Sequence, residues 1–230
     1  MLEKAQSRQQ RAAFDFESQY ENLCYLSDIS PLRSVKASIA QGLLDINGDL
    51  LRSPDWPPLL DALKTNKSLS DICLRSNPKS DPHPTGKENN NENNGSPSTF
   101  GADRLPPIRT RDVTYRLCLS LKECLSVSPA IVTLQLQGIP LRERDVVLLA
   151  KGLKDNGSIV TLSLEGCQIG DKGAEIVCDN VKKLRTLKTI NLASCGLSAS
   201  GAEVLSLLIR HQSIRRHDDA WKDRSVSRLD

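Results

Sequence analysis

The seven cysteines of this chain, Cys24, Cys73, Cys118, Cys124, Cys167, Cys178 and Cys195, are the side chains with the most chemistry in them. Thiolates can ligate zinc, pair as disulfides or attack electrophiles. Their spacing supports none of these roles. The count is odd, no C-x-x-C occurs, and neither a histidine nor a third cysteine stands at ligand spacing. The thiols therefore read as small buried hydrophobes in a reducing compartment, with no metal site and no disulfide framework. The histidines, His83, His211 and His217, give no nucleophile a positioned base. GCQIGDKG (166–173) is rich in glycine, but no Walker A loop, G-x-G-x-x-G, H-E-x-x-H or G-x-S-x-G is present. The expectation is a chain with no catalytic residues and no cofactor.

Charge narrows the partners. The chain holds 31 Lys+Arg against 28 Asp+Glu, a net +3, and only 3% of its residues are aromatic. Residues 131–209 interleave nine basic with eight acidic side chains. A nucleic-acid binder would gather its basic residues on one face and offer bases a stacking platform. Lys182, Lys183, Arg185 and Lys188 do cluster, but just after an expected helix, where positive charge is favourable anyway. No run of eighteen apolar residues predicts a membrane span, and the start, MLEKAQSRQQ, lacks the apolar core of a signal peptide. The N-x-S sequons at Asn66, Asn94 and Asn156 then have no secretory route and read as chance.

Two of the cysteines expose the architecture. Cys167 and Cys195 are 28 residues apart, and so are the segments that carry them. IVTLQLQGIPL (131–141), IVTLSLEGCQI (159–169) and LKTINLASCGL (187–197) each fit L-x-x-L-x-L-x-x-N/C-x-L, the leucine-rich repeat. Cys167 and Cys195 fill the inward N/C position, and Ile139 fills it in the first copy, a departure that a metal site would not allow. The L-x-L alternation is a strand with leucines inward.

The rest of each repeat has helical spacing. Apolar positions fall at Val146, Leu149, Ala150 and Leu153 in 145–154. They fall at Ala174, Val177, Cys178 and Val181 in 173–184, and at Ala202, Leu205, Leu208 and Ile209 in 201–211. Earlier copies are LSDICLRSN, with Leu69, Ile72, Leu74 and Asn77, and LLDINGD, with Leu44 and Ile46; Trp56, Leu59, Leu60 and Leu63 supply the helix between them. Strands are thus expected near 44–46, 72–74, 134–136, 162–164 and 190–192. The fold class is α/β: a right-handed leucine-rich repeat solenoid of the ribonuclease-inhibitor type with an N-terminal helical cap.

Five segments follow. Residues 1–40 are the cap, with a helix over 3–26 (Phe14, Phe16, Tyr20, Leu23, Cys24) and a shorter one over 31–40 (Leu32, Val35, Ile39). Residues 41–77 are the first repeats. Residues 78–110, rich in Pro, Asn, Gly, Ser and charge, read as a disordered insertion that interrupts one repeat without breaking the register. The helix resumes at Val113, with Leu117, Leu121 and Leu125 inward, and repeats run from 111 to 214. Residues 215–230 form a charged C-terminal segment.

The outward strand residues give the candidate partner-binding face: Asp45, Asn47, Asp71, Arg75, Gln135, Gln137, Ser163, Glu165 and Asn191. Five strands make a face about 20 Å wide, room for one helix or one extended peptide. A small polar sheet face serves equally well as a merely solvated surface. Within the insertion, Lys87, Glu88 and Asn89 match the KEN tripeptide and so resemble a degron read by the anaphase-promoting complex; in so Asn-rich a stretch the match also arises by chance.

DWPPLLDALKTNKSL (55–69), PLRERDVVLLAKGL (140–153) and IRRHDDAW (214–221) closely resemble the centrosomal protein of 78 kDa family, as do FESQYENLCYL (16–26) and VTYRLCLSLKECLS (113–126). The resemblance implies a non-enzymatic scaffold of the cytoplasm and cytoskeleton, at the centrosome, the centriole and the basal body of the cilium. It implies partners among centrosomal proteins and an E3 ubiquitin ligase assembly, with roles in cilium biogenesis and ligase regulation. Charge balance and hydropathy, not the resemblance, argue for no nucleic acid and no membrane. Members of that family continue into further repeats and a coiled coil, whereas this chain stops at Asp230. The expectation is an N-terminal part or a shortened form, monomeric, whose last repeat lacks a cap because Arg215 stands one period beyond Leu187. The alternative is a generic cytosolic leucine-rich repeat inhibitor or regulator of an enzyme, unrelated to the centrosome.

Overall fold

A computed structural model describes residues 15–77, 105–154 and 156–226 of the 230, and side chains as far as residue 215. Five strands, β1 (Leu43–Asn47), β2 (Asp71–Arg75), β3 (Thr133–Gln137), β4 (Thr161–Ser163) and β5 (Thr189–Asn191), form one parallel sheet in chain order. The pairing keeps the repeat in register: Leu44, Ile72, Leu134, Leu162 and Ile190 stand side by side. The strands sit where the period puts them. β4 and β5 end one residue sooner than expected, and Leu164 and Leu192 remain buried just past the ladder.

Helices form the second layer: α1 (Phe16–Leu26), α2 (Arg33–Lys36), α3 (Trp56–Lys64), α4 (Arg111–Val127), α5 (Glu143–Lys154), α6 (Gly170–Val181) and α7 (Ala199–Val226). Each apolar stripe from α3 to α6 faces the strands. Trp56, Leu59, Leu60 and Leu63 are buried on α3, and Val146, Leu149, Ala150 and Leu153 on α5. One continuous cluster of buried side chains runs from Phe16 to Leu208.

The N-terminal helix starts later than its apolar pattern proposes. The Asp15 backbone is extended, and its carboxylate accepts from the Ser18 N–H, so α1 begins at Phe16 and a single helix over 3–26 does not form. Phe14 lies outside the described residues. The second helix is also shorter than 31–40. It breaks into α2 and a 3₁₀ turn, Ile39–Gln41, that Gly42 ends at φ +75°. Phe16, Tyr20 and Cys24 are buried, the Phe16 N–H donates to Ser68 Oγ at 3.0 Å, and Val35 of α2 and Ile39 of the turn are buried too.

The interrupted repeat closes sooner than composition predicts. Ile108, inside the stretch expected to be disordered, is fully buried. It stands five residues before Val113, as Leu51 stands before Trp56 and Leu141 before Val146, so it fills the last inward position of the β2 repeat. Pro107–Arg109 forms a 3₁₀ turn, and Thr110 caps α4 by accepting from the Val113 N–H. Residues 78–104 lie outside the described residues.

α7 is the other departure. It continues to Val226, beyond the 201–211 stripe, and of the four residues expected to face inward only Leu208 is buried. Leu205 is half-buried, while Ala202 and Ile209 are exposed, because among the described residues no further repeat packs against this helix.

Candidate functional site

The sheet register aligns the outward side chains in rows. One row is Asp45, Cys73, Gln135, Ser163 and Asn191; a second begins Asn47, Arg75, Gln137. Seven of the nine candidate partner-binding residues fall in these two rows, Asp71 stands in a third beside Leu43 and Thr133, and Glu165 lies two residues past the end of β4. Several engage each other rather than solvent alone. Arg75 Nη2 donates to Asp45 Oδ1 at 2.6 Å across β1 and β2, a half-exposed ion pair. Asn191 Nδ2 donates to Glu165 Oε2 at 3.1 Å. Asp71 Oδ2 accepts from Ser70 Oγ, and Asn47 Oδ1 accepts from the Asp49 N–H. Gln135 and Gln137 are exposed at the centre of the sheet. Such a face can offer hydrogen bonds to a partner; it has no converging nucleophile and base.

The thiols behave as packing groups. Cys167 Sγ donates to the Leu136 carbonyl at 3.2 Å, and Cys195 Sγ to the Leu164 carbonyl at 2.9 Å. Each thus ties its turn to the repeat before it. Burial pushes the Cys167 thiol up to about 12 and those of Cys124 and Cys178 up to about 11. Cys73 alone of the seven is not buried. Among the described residues no three His, Cys, Asp or Glu side chains gather as metal ligands, and no helix is long and apolar enough to cross a membrane.

Two of the three sequon asparagines hold the fold. Asn66 is fully buried; its Oδ1 accepts from the N–H groups of Ser68 and Leu69 at 3.0 and 2.9 Å. Asn156 repeats this with Ser158 and Ile159, and its Nδ2 donates to the Leu125 carbonyl at 2.8 Å. Both lie three residues before the first inward position of a strand segment, a spacing that could have marked them as turn residues.

A second group that sequence reasoning missed sits where the insertion leaves and returns. Asp49 accepts from Ser76 Oγ at 2.8 Å and from the Asn77 N–H at 2.7 Å, and Arg109 Nε lies 3.6 Å from it. Arg109 Nε also donates to Ser76 Oγ at 3.2 Å. The two ends of the insertion are thereby pinned to one carboxylate. Lys87, Glu88 and Asn89 lie outside the described residues. Of the basic cluster after α6, Lys182 pairs with Asp179 at 2.9 Å, while Lys183 and Lys188 are exposed.

A sequence model described as Leucine Rich repeat matches residues 155–178 and 183–206. The chain is similar to the human protein "Centrosomal protein of 78 kDa", 42% identical over 223 residues, which are 97% of this chain and 31% of that one. The mouse protein of the same name is 40% identical over 224 residues, 97% of this chain and 28% of that one. The chain thus spans about a third of the length of these relatives. Among solved structures, "Leiomodin-1 Actin-Binding Site 2 (ABS2)" aligns over 85% of this chain and 94% of its own at 12% identity, with a TM-score of 0.46, too loose a likeness to bear on function.

Proposed function

Over most of its length this chain is a homologue of the centrosomal protein of 78 kDa family, and from that premise we propose that it is a non-enzymatic centrosomal scaffold whose leucine-rich repeats bind protein partners. The repeats form a right-handed solenoid of the ribonuclease-inhibitor type, with the segment before β1 as its N-terminal cap. The partners are centrosomal proteins and an E3 ubiquitin ligase assembly, and the setting is the centriole and the ciliary basal body. The observation that carries the reading is the sheet face: outward residues of five parallel strands in one register, polar and centred on exposed Gln135 and Gln137.

The test is proximity labelling in ciliated cells with the wild-type chain and a double variant, Gln135→Arg and Gln137→Arg, whose far-ultraviolet circular dichroism must match. Loss of centrosomal neighbours from the variant supports the reading. Unchanged neighbours, or neighbours confined to a cytosolic enzyme, would overturn it.

A further inference from the structure

Four serines in this chain precede a proline: Ser30, Ser53, Ser96 and Ser128. A proline-directed protein kinase reads that pair. Proline at +1 has no N–H to leave unpaired in the kinase's apolar pocket, and a basic side chain at +3 meets acidic groups of the kinase. The +3 residues are Arg33, Trp56, Thr99 and Ile131, so Ser30 is the one serine of the four that carries both signals. The fold separates them in the same way. Ser53 lies in a 3₁₀ turn that leads into α3, and Trp56 at its +3 position is buried. Ser128 is buried, and so is Ile131. Ser96 lies outside the described residues.

Ser30 and Arg33 are both exposed. α1 ends at Leu26, and the chain leaves it through Asp28 at φ +54°, with the Ile29 N–H donating to the Cys24 carbonyl at 2.9 Å. Residues 29–32 then run without regular structure to α2. The Pro31 ring fixes its own φ and pushes Ser30 away from the helical region. Leu32 is extended, at φ −72° and ψ 131°, and its N–H donates to Tyr20 Oη at 3.2 Å. A peptide enters a kinase cleft extended, so this stretch is already close to that form. Arg33 opens the four-residue α2, and the ends of a helix fray, so its side chain can follow the extended segment.

We propose that Ser30 is the acceptor residue of a proline-directed protein kinase. The Ser30 hydroxyl attacks the γ-phosphorus of Mg·ATP. The Oγ–P bond forms as the bond from that phosphorus to the β–γ bridging oxygen breaks, ADP leaves, and the hydroxyl proton passes to the kinase's catalytic aspartate. The product carries about 1.5 to 2 added negative charges between Asp28 and Arg33, on the segment that joins α1 to α2. This modification is independent of the outward sheet face proposed above.

The test incubates the folded chain with a cyclin-dependent kinase and Mg·ATP, follows incorporation by intact mass and maps it by peptide fragmentation. Ser30 should take up one phosphoryl group, and Ser30→Ala should lose it. Arg33→Ala should lower kcat/KM for the Ser30 reaction by about tenfold, and Arg33→Lys should restore most of it. Both positions are exposed, so the circular dichroism of each variant should match wild type. No phosphoryl group on Ser30, incorporation that Ser30→Ala leaves undiminished, or an Arg33→Ala chain that reacts as fast as wild type overturns the proposal. So does a synthetic peptide of residues 25–36 that is phosphorylated when the folded chain is not, since the fold would then withhold the hydroxyl.

Discussion

Burial sets what single side chains can do here. Six of the seven thiols are buried, and the raised values of Cys124, Cys167 and Cys178 keep them protonated at neutral pH. Ellman's reagent on the native chain should therefore modify Cys73 first, with the other six following only in denaturant. Rapid reaction of more than one thiol in the native state would mean that the repeats open readily. Asp171 makes a prediction in pH. Its carboxyl accepts from Ser198 Oγ and from the Ser198 N–H at 2.8 Å, and these bonds hold it below the usual carboxylate value. A depressed value means that the stabilisation is present above the ordinary Asp range and lost as pH falls through the lowered one. Asp171→Asn should lower the melting temperature at neutral pH and converge with wild type in strong acid. A gap that persists in acid would place the effect elsewhere. The inward cysteines were legible in the sequence because they recur at the motif's N/C position. Asn66 and Asn156 were not, since a glycosylation triplet and a turn-forming Asn-x-Ser look alike until burial separates them.

Within the elements, alternation by one residue decides between core and solvent. Leu164 is fully buried and Ser163, on the outward side of β4, is half-buried. Leu164→Asp should cost on the order of 4 kcal/mol and abolish cooperative urea unfolding, whereas Ser163→Asp should shift the midpoint little. Equal effects would mean that the strand register is wrong by one. Helix contact is as tight at one glycine. A Cβ at Gly152 of α5 would stand 2.6 Å from Lys122 Cα of α4, with backbone on the other side and nothing flexible to move. Gly152→Ala should thus destabilise by about 1–3 kcal/mol despite the better helix propensity of alanine. A gain in stability would show that the two helices can part at no cost. β2 to β4 and the α3 to α6 stripes were readable because each is flanked on both sides by its neighbours. The ends were not. Asp15 stops α1 by capping, a local competition that an apolar count ignores, and α7 has Ala202 and Ile209 in the right places with no described repeat to cover them.

At the scale of the whole chain, the 28-residue period locates all five strands and shows that one repeat is interrupted, because a parallel sheet in register repeats its inward residues at fixed spacing. The point where the interruption ends was hidden. The Pro-Pro before Ile108 shares the composition of the insertion, and only the five-residue interval to Val113 marks that isoleucine as the missing core residue. Two deletions separate the insertion from the repeat. Removing residues 78–104 and bridging Asn77 to Leu105 with about seven glycines and serines shortens the loop by two doublings, a change of only about 1 kcal/mol in closure entropy. The ends already meet at Asp49, so the melting temperature should rise or fall by only a few degrees. Extending the deletion through Arg109 takes out Ile108, which packs against Gly48, together with the ion pair to Asp49. That loss should cost about 3 kcal/mol, the scale of emptying a buried aliphatic site. If the shorter deletion alone lowers the midpoint by many degrees, residues 78–104 pack on the repeats. If the longer one is harmless, Ile108 does not complete the second repeat, and the interrupted unit must be closed by some other residue.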